Sequence, residues 1–400
     1  MGPNHVLFHR ARILLIFCFT LIWLISVVLA DCECGYSIGS EKTEDYTVFT
    51  DVLESDFTKL KNIYHDTDWV PQEWKVGKVQ SRGPYGRQTL LANVISNPLK
   101  NRNSKKSSIG KNGNEAGLEL WVRKLEQPEQ EYVTVAELDS YRTDIFYGSF
   151  RAGIQITPVK GTCGAFFWYV NPNIHTVDTH SCTRYLNDTQ EIDMEFLSSR
   201  MNETNSPIHL VLHSTLSFQE GGDASNTPSY KVIDLPFQPS DGVHEYRFDW
   251  TPGSVKFYAD GALLAEMNDT NYVPSVPGKI ILSHWSNGQE LWSGGPPEED
   301  AKMLVQYVKG YFNTTASARA EAYHQRCFDP AAMNAVCEIP NIKGKPVFGE
   351  TYFFSQDPSK NKTNGQIIHA LSPAAASFSS NHALAYMSSM ATAFFVLWIL

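Results

Sequence analysis

Between Asp31 and Phe354 the chain is written in short apolar or alternating runs, each closed by Gly, Pro or Asn. Examples are YGSFRAGIQIT (147–157), GAFFWYVN (164–171), PIHLVLHS (207–214), HEYRFDW (244–250), SVKFYADG (254–261) and KIILSHW (279–285). Period-two runs of this length match pleated strands with one face in a core. Long patterns of period 3.6 are scarce, and Ala316 to Arg326 is the best helix candidate. The fold class this predicts is all-β, as a sandwich of two antiparallel sheets or a jelly roll, a class that often exceeds 200 residues without dividing. The 9 Trp, 18 Tyr and 22 Phe suit such sheets, and equally suit a surface that stacks against sugar rings.

One run differs from the rest. In QEIDMEFLSS, Glu191, Asp193 and Glu195 alternate with Ile192, Met194 and Phe196, so a strand here carries three carboxylates on one face and an apolar stripe on the other. Like charges so close repel. The pattern alone fits a solvated strand face, or a pair of carboxyl groups for glycosyl transfer with one Glu as nucleophile and the other as general acid. A Ca²⁺ site is a poorer fit, because a straight strand presents too few convergent oxygens. Cα atoms four residues apart on a strand are about 13 Å apart, and two Glu side chains leaning together bring their carboxyl groups toward the roughly 5 to 5.5 Å that retaining glycosidases need.

The surroundings of these acids separate the readings. EIDMEFLSS resembles the active-site strand of glycoside hydrolase family 16. YGSFRAGIQI and GTCGAFFWYVN before it, and HEYRFDWTPGSVKFYADG and PGKIILSHWSNG after it, look like the family's neighbouring strands in the expected order, from about Tyr147 to Trp292. The resemblance implies a concanavalin A-like jelly roll with Glu191 as nucleophile, Asp193 as its assisting acid and Glu195 as acid/base; the residues themselves suggest no cofactor and no metal. The acids follow the regular E-x-D-x-E spacing of the lichenase-like and transglycosylase-like members, not the bulged E-x-D-x-x-E of the laminarinase-like ones. For the cleft, Trp168, Trp285 and Trp292 are candidate sugar platforms and His284 a candidate subsite hydrogen-bonder. The function this implies is a retaining endo-β-glycosidase acting on a β-glucan-type wall polysaccharide. A transglycosylase that crosslinks glucan or chitin shares the same covalent intermediate. An inactive lectin-like protein on the same scaffold has the intact acid triplet against it.

The ends of the chain predict export. Arg10 and Arg12 precede an apolar run from Ile13 to Leu29 and a small-residue junction before Asp31, as in a secretory signal over residues 1–30. No Lys, Arg, Asp or Glu follows Lys362, and small residues precede an apolar tail at Ala391 to Leu400, which predicts a GPI-attachment propeptide over 381–400. Between them we expect the jelly-roll domain over 31–315, a Cys-stapled extension over 316–355 and a polar linker over 356–380. The basic segment 100–115 reads as a solvated loop. With Cys18 in the signal, Cys32, Cys34, Cys163, Cys182, Cys327 and Cys337 remain as an even set for three disulfides, Cys163 and Cys182 bracketing one loop and the other four joining the chain's ends. Asn187, Asn202, Asn268, Asn313 and Asn361 stand in glycosylation sequons. Loss of the signal takes the net charge from −10 to −12, which excludes nucleic acid as a natural partner and leaves a neutral polysaccharide, with the membrane reached through the lipid anchor.

Overall fold

The computed structural model describes residues 31–101, 107–170, 190–219 and 224–357. The expected signal and anchor segments, Cys182, Asn187 and Asn361 lie outside these residues.

The described chain is a jelly-roll sandwich. The front sheet runs, in hydrogen-bonded order, Tyr230–Asp234, Pro207–Ser214, Gln190–Leu197, Cys163–Tyr169, Lys279–Trp285, Tyr132–Ser140, Gly86–Thr89 and Lys75–Val76, with Trp69–Pro71 also on Tyr132–Ser140. The back sheet runs Ala262–Met267, Ser254–Ala259, His244–Thr251, Ile145–Gln155, Ala301–Thr314, Gly117–Val122 and Val94–Asn97, with Asp51–Asp56 also on Ala301–Thr314. Sequence neighbours pair as hairpins, while strands far apart in sequence meet at the centre of each sheet, as a Greek-key connection requires.

Period two decides what each strand buries. Ile192, Met194 and Phe196 enter the core from the front sheet together with Phe166, Leu210 and Leu282, and they meet Phe150, Phe248 and Val305 from the back sheet. Full burial of each such side chain contributes about 1.5 to 3 kcal/mol, so the apolar stripe of EIDMEF holds the acids' own strand in place. The pairing of Gln190–Leu197 is continuous with both neighbours, from Cys163↔Leu197 to Tyr169↔Glu191 on one side and from Gln190↔Ser214 to Glu195↔His209 on the other. No bulge re-aims the last carboxylate.

The outer face of the back sheet is covered by the chain's own C-terminal extension. The expected helix forms over Ser317–Arg326. Beyond it, Val336–Glu338 pairs in parallel with Gly35–Ile38, itself paired with Thr47–Phe49. Disulfides Cys32–Cys337 and Cys34–Cys327 staple this small sheet across sequence separations of 305 and 293, joining the chain's ends as expected. The buried Arg151 guanidinium donates to Pro340 O at 2.7 Å and Arg247 to Asn341 Oδ1 at 2.6 Å. The extension thus satisfies charges that the sheet turns away from its core.

Cys182, the remaining cysteine of the expected set, lies outside the described residues. Cys163 carries a free, buried thiol. Its place in Cys163–Tyr169 turns Sγ toward the acid strand, 3.3 Å from Glu195 Oε1, where it serves as a hydrogen-bond donor. Of the sequons, Asn202 and Asn268 are exposed. Asn313 is half-buried, its Oδ1 accepting from Thr50 N at 3.3 Å and Thr50 Oγ1 at 3.4 Å.

Candidate active site

The front sheet's outer face floors a cleft of about 530 Å³. Glu191, Asp193 and Glu195 line it together, with Ala165, Phe167 and Tyr169 from one neighbouring strand and Val211 and His213 from the other. Glu137, Asp139, Lys279, Ser283, Trp285 and Arg87 continue the floor, while Gln289, Leu291 and Trp292 form one wall.

The carboxylates occupy different surroundings. His213, the cross-strand partner of Glu191, puts Nε2 3.8 Å from Asp193 Oδ2, and one polar atom from each of Glu191, Asp193 and His213 lies within 4.8 Å of the others. We read this cluster as two acids sharing an imidazole neighbour, since all three groups come from two adjacent strands on one side and leave most of an ion's shell unfilled. Asp193 is buried at 5 % exposure.

Glu195 sits at the other end of the stripe. Burial raises its carboxyl group above the usual carboxylate range, against hydrogen bonds from the Cys163 thiol and the Trp292 indole and the positive charge of Arg87, which pull it down. Burial and the neighbouring Glu195 charge push the Cys163 thiol well above its ordinary value, so it remains a donor. Opposite Glu195, His209 Nδ1 is 2.7 Å from the Tyr230 hydroxyl, and its ring lies 5.4 Å from that of Trp292. Burial, then the charge of Arg200, lowers His209 to about 4. It is therefore neutral near neutral pH and braces the cleft wall without adding charge.

The wall that carries Trp292 is built by backbone turns. Gly294 has φ of +73°, and a Cβ there would lie 2.4 Å from Ser199 Cβ, so only glycine fits this approach. Asn287 ties the loop down by donating to Ser81 O at 2.6 Å and accepting from Ser293 Oγ at 2.9 Å. Trp285 is held flat by the Arg87 guanidinium, 4.6 Å above its ring.

Two expected cleft residues point inward. Trp168 pairs with Ile192 in register, is fully buried, packs 4.5 Å from Trp250 and donates to Ile145 O at 3.3 Å. It is a core residue, not a sugar platform. His284 is also fully buried, with Nδ1 2.8 Å from Leu120 O and Nε2 3.0 Å from Thr162 Oγ1. Both ring nitrogens are used in linking the two sheets, and burial lowers the ring to about 4. Trp285 and Trp292 do line the cleft. Sequence reasoning missed Arg87, Glu137, Asp139, Lys279, His213 and Tyr230. Of these only Glu137 and Asp139 left a trace, as alternating acids in VAELDS. Lys279 Nζ donates to Asp139 Oδ2 at 2.5 Å, an ion pair buried in the floor.

The pattern of "Glycosyl hydrolases family 16" matches residues 99–309. Curated relatives include the Beta-glucanase of Paenibacillus macerans, 31% identical over 38% of this chain and 55% of that protein, and the Beta-glucanase of Bacillus subtilis, 28% identical over 37% and 51%. The chain thus spans about half the length of the curated relatives it matches. Among solved structures, the endo-beta-1,3-glucanase from Pyrococcus furiosus is similar at 20% identity and a TM-score of 0.47, over 70% of this chain and 98% of that one. The family match takes in more than half of the 400 residues and contains the whole acid strand and its neighbours. The chain belongs to glycosyl hydrolase family 16.

Proposed function

We propose that the protein is a retaining endo-β-glucanase. The observation that carries this reading is the stripe of three carboxylates on one unbulged strand, flooring an open cleft, with the last of them burial-raised and the first beside a second acid and an imidazole. In this reading Glu191 attacks the anomeric carbon as the aglycone oxygen takes the proton of Glu195, giving a covalent glycosyl ester. Glu195, now ionised, accepts a proton from water, which attacks the same carbon and releases Glu191. Asp193 and His213 orient the Glu191 carboxylate. A group raised by burial holds its proton at the pH where the nucleophile is already ionised, which is what the first step demands. Trp285 and Trp292 offer faces to the apolar sides of pyranose rings.

The substrate class is inferred from the names of the relatives, which are β-glucanases. Mass spectrometry of products from residues 31–357 incubated with laminarin-type, mixed-linkage and chitin-derived oligosaccharides is expected to show shorter β-glucan fragments, and proton NMR of the newly formed reducing ends the retained β-anomer. Products longer than the substrate would replace hydrolysis by glycosyl transfer. No product from any glycan, with binding preserved, would leave a lectin.

We further propose that the protein works outside the cell, attached to the surface through a GPI lipid. Two disulfides joining the chain's ends need an oxidising compartment, and Asn202 and Asn268 are exposed sequons. Phosphatidylinositol-specific phospholipase is expected to release the enzyme from intact cells in glycosylated form. Retention on the membrane after complete digestion would rule the lipid tether out.

A further inference from the structure

Two hydrogen-bond donors and one positive charge, each from a different element, converge on Glu195. Cys163 lies on the same face of its strand as Ala165, the register partner of Glu195, and its side chain is fully buried, with Sγ 3.3 Å from Glu195 Oε1. Trp292 approaches from the loop wall with its indole N–H, and Arg87, held over the Trp285 ring, adds a positive charge. Cys163 and Trp292 are fixed independently, the first by its strand and the second by packing on His209 and by the turn at Gly294.

We propose that Cys163 and Trp292 form a two-point harness that positions the Glu195 carboxyl group and sets the pH at which it gives up its proton. This rests on the acid/base role proposed above. Both are positioning residues in this respect, since they act through Glu195. Each donor stabilises the carboxylate more than the neutral acid, and so opposes the upward pull of burial. Cys163 lacks the competing option of ionising, because the same burial and the same Glu195 charge keep it a thiol. The other groups facing Glu195 leave the donors to make the adjustment. His209 across the strand pair is neutral and occupied with Tyr230. Asp193 and Glu191 share its strand and favour the protonated form, while Arg87 favours the ionised one. The thiol is fully buried, and valine fills its place, so no solvent molecule replaces the donor when it is removed.

The test compares the wild type with Cys163→Val, Cys163→Ser and Trp292→Phe. Valine fills the thiol's space without a donor, serine restores one, and phenylalanine keeps the ring while losing the N–H. Removing a donor disfavours the ionised form of Glu195, so the alkaline limb of kcat/KM against pH is expected to move up by about 0.5 pH unit or more in Cys163→Val and Trp292→Phe. The acidic limb belongs to Glu191 and should stay in place. Cys163→Ser should return the alkaline limb to near the wild-type position. A structural role alone would lower thermal stability without moving that limb. Infrared difference spectra of wild type minus Cys163→Val add a readout that needs no substrate. The S–H stretch should be that of a bonded thiol, and should shift in Glu195→Gln and as Glu195 titrates. An alkaline limb unmoved by Cys163→Val, an S–H band indifferent to Glu195, or recovery of Cys163 in a disulfide would each overturn the harness. If instead Glu195→Gln kept full hydrolytic activity while the S–H band tracked Glu195, the acid/base assignment would be the part that failed.

Discussion

Glu191→Gln is expected to lower kcat on β-glucan by roughly 10⁴-fold or more, with substrate binding and folding retained. The substitution keeps the shape of the side chain and removes the nucleophilic oxygen, so no glycosyl ester forms. The loss should be the same for a glucan and for an aryl glycoside with a good leaving group, because both need the nucleophile. Glu195→Gln should behave differently: a leaving group that needs no proton bypasses its first task, so the aryl glycoside should recover much of the first step while glucan hydrolysis stays slow. Fold stability gives a second contrast. Glu191 lies in a crowd with Asp193, and the register around it is carried by Ile192, Met194 and Phe196 from the opposite face. Removing one negative charge from that crowd should leave the melting temperature unchanged or slightly higher. A side chain whose loss costs activity and no stability is present for chemistry. Glu191→Gln with wild-type kcat on every substrate would sink its assignment, and a large fall in melting temperature would make it a structural group.

The acid stripe was legible because its alternation is complete. Three acids and three apolar residues define both faces of one strand, and the observed register keeps them there. GAFFWYV offers no such contrast, since every position is apolar and either face would suit the core. Trp168 suits the cleft as well as the core on sequence alone, whereas pairing with Ile192 turns it inward. Period two held a clue for the other misplaced residue. His284 and Trp285 are adjacent on one strand, so they cannot both face the same side. With Trp285 in the cleft, His284 had to be in the core, where it bonds Leu120 O and Thr162 Oγ1. The remaining floor comes from segments far apart in sequence, Arg87, Glu137, Asp139, His213 and Lys279, and strand order is what no local pattern contains. Counting cysteines in pairs says nothing of the contact that the strand's parity gives Cys163, whose thiol it aims at Glu195.

Loss of both terminal disulfides is expected to lower the melting temperature by roughly 10 °C while leaving kcat near wild type. The two bridges close nearly the same loop, with separations of 305 and 293 residues, so their effects are not independent. Removing one alone leaves the ends joined, and the entropy regained by the unfolded chain is that of a short loop, about 3 kcal/mol. Removing the second opens the long loop and costs about 5 kcal/mol more. The alanine variants of one pair and of both pairs, compared by calorimetry, should therefore show a second step larger than the first. Equal small steps would mean that the small sheet over Gly35–Ile38 holds the ends together without covalent help. The staple clamps Tyr36, Phe49, Ile339 and Phe354 over the outer face of the back sheet, and the whole sandwich core separates this cluster from Glu191, Asp193 and Glu195. Activity at a temperature where the protein stays folded should thus be indifferent to the bridges, and a parallel loss of kcat would show that the two faces of the sandwich are mechanically coupled.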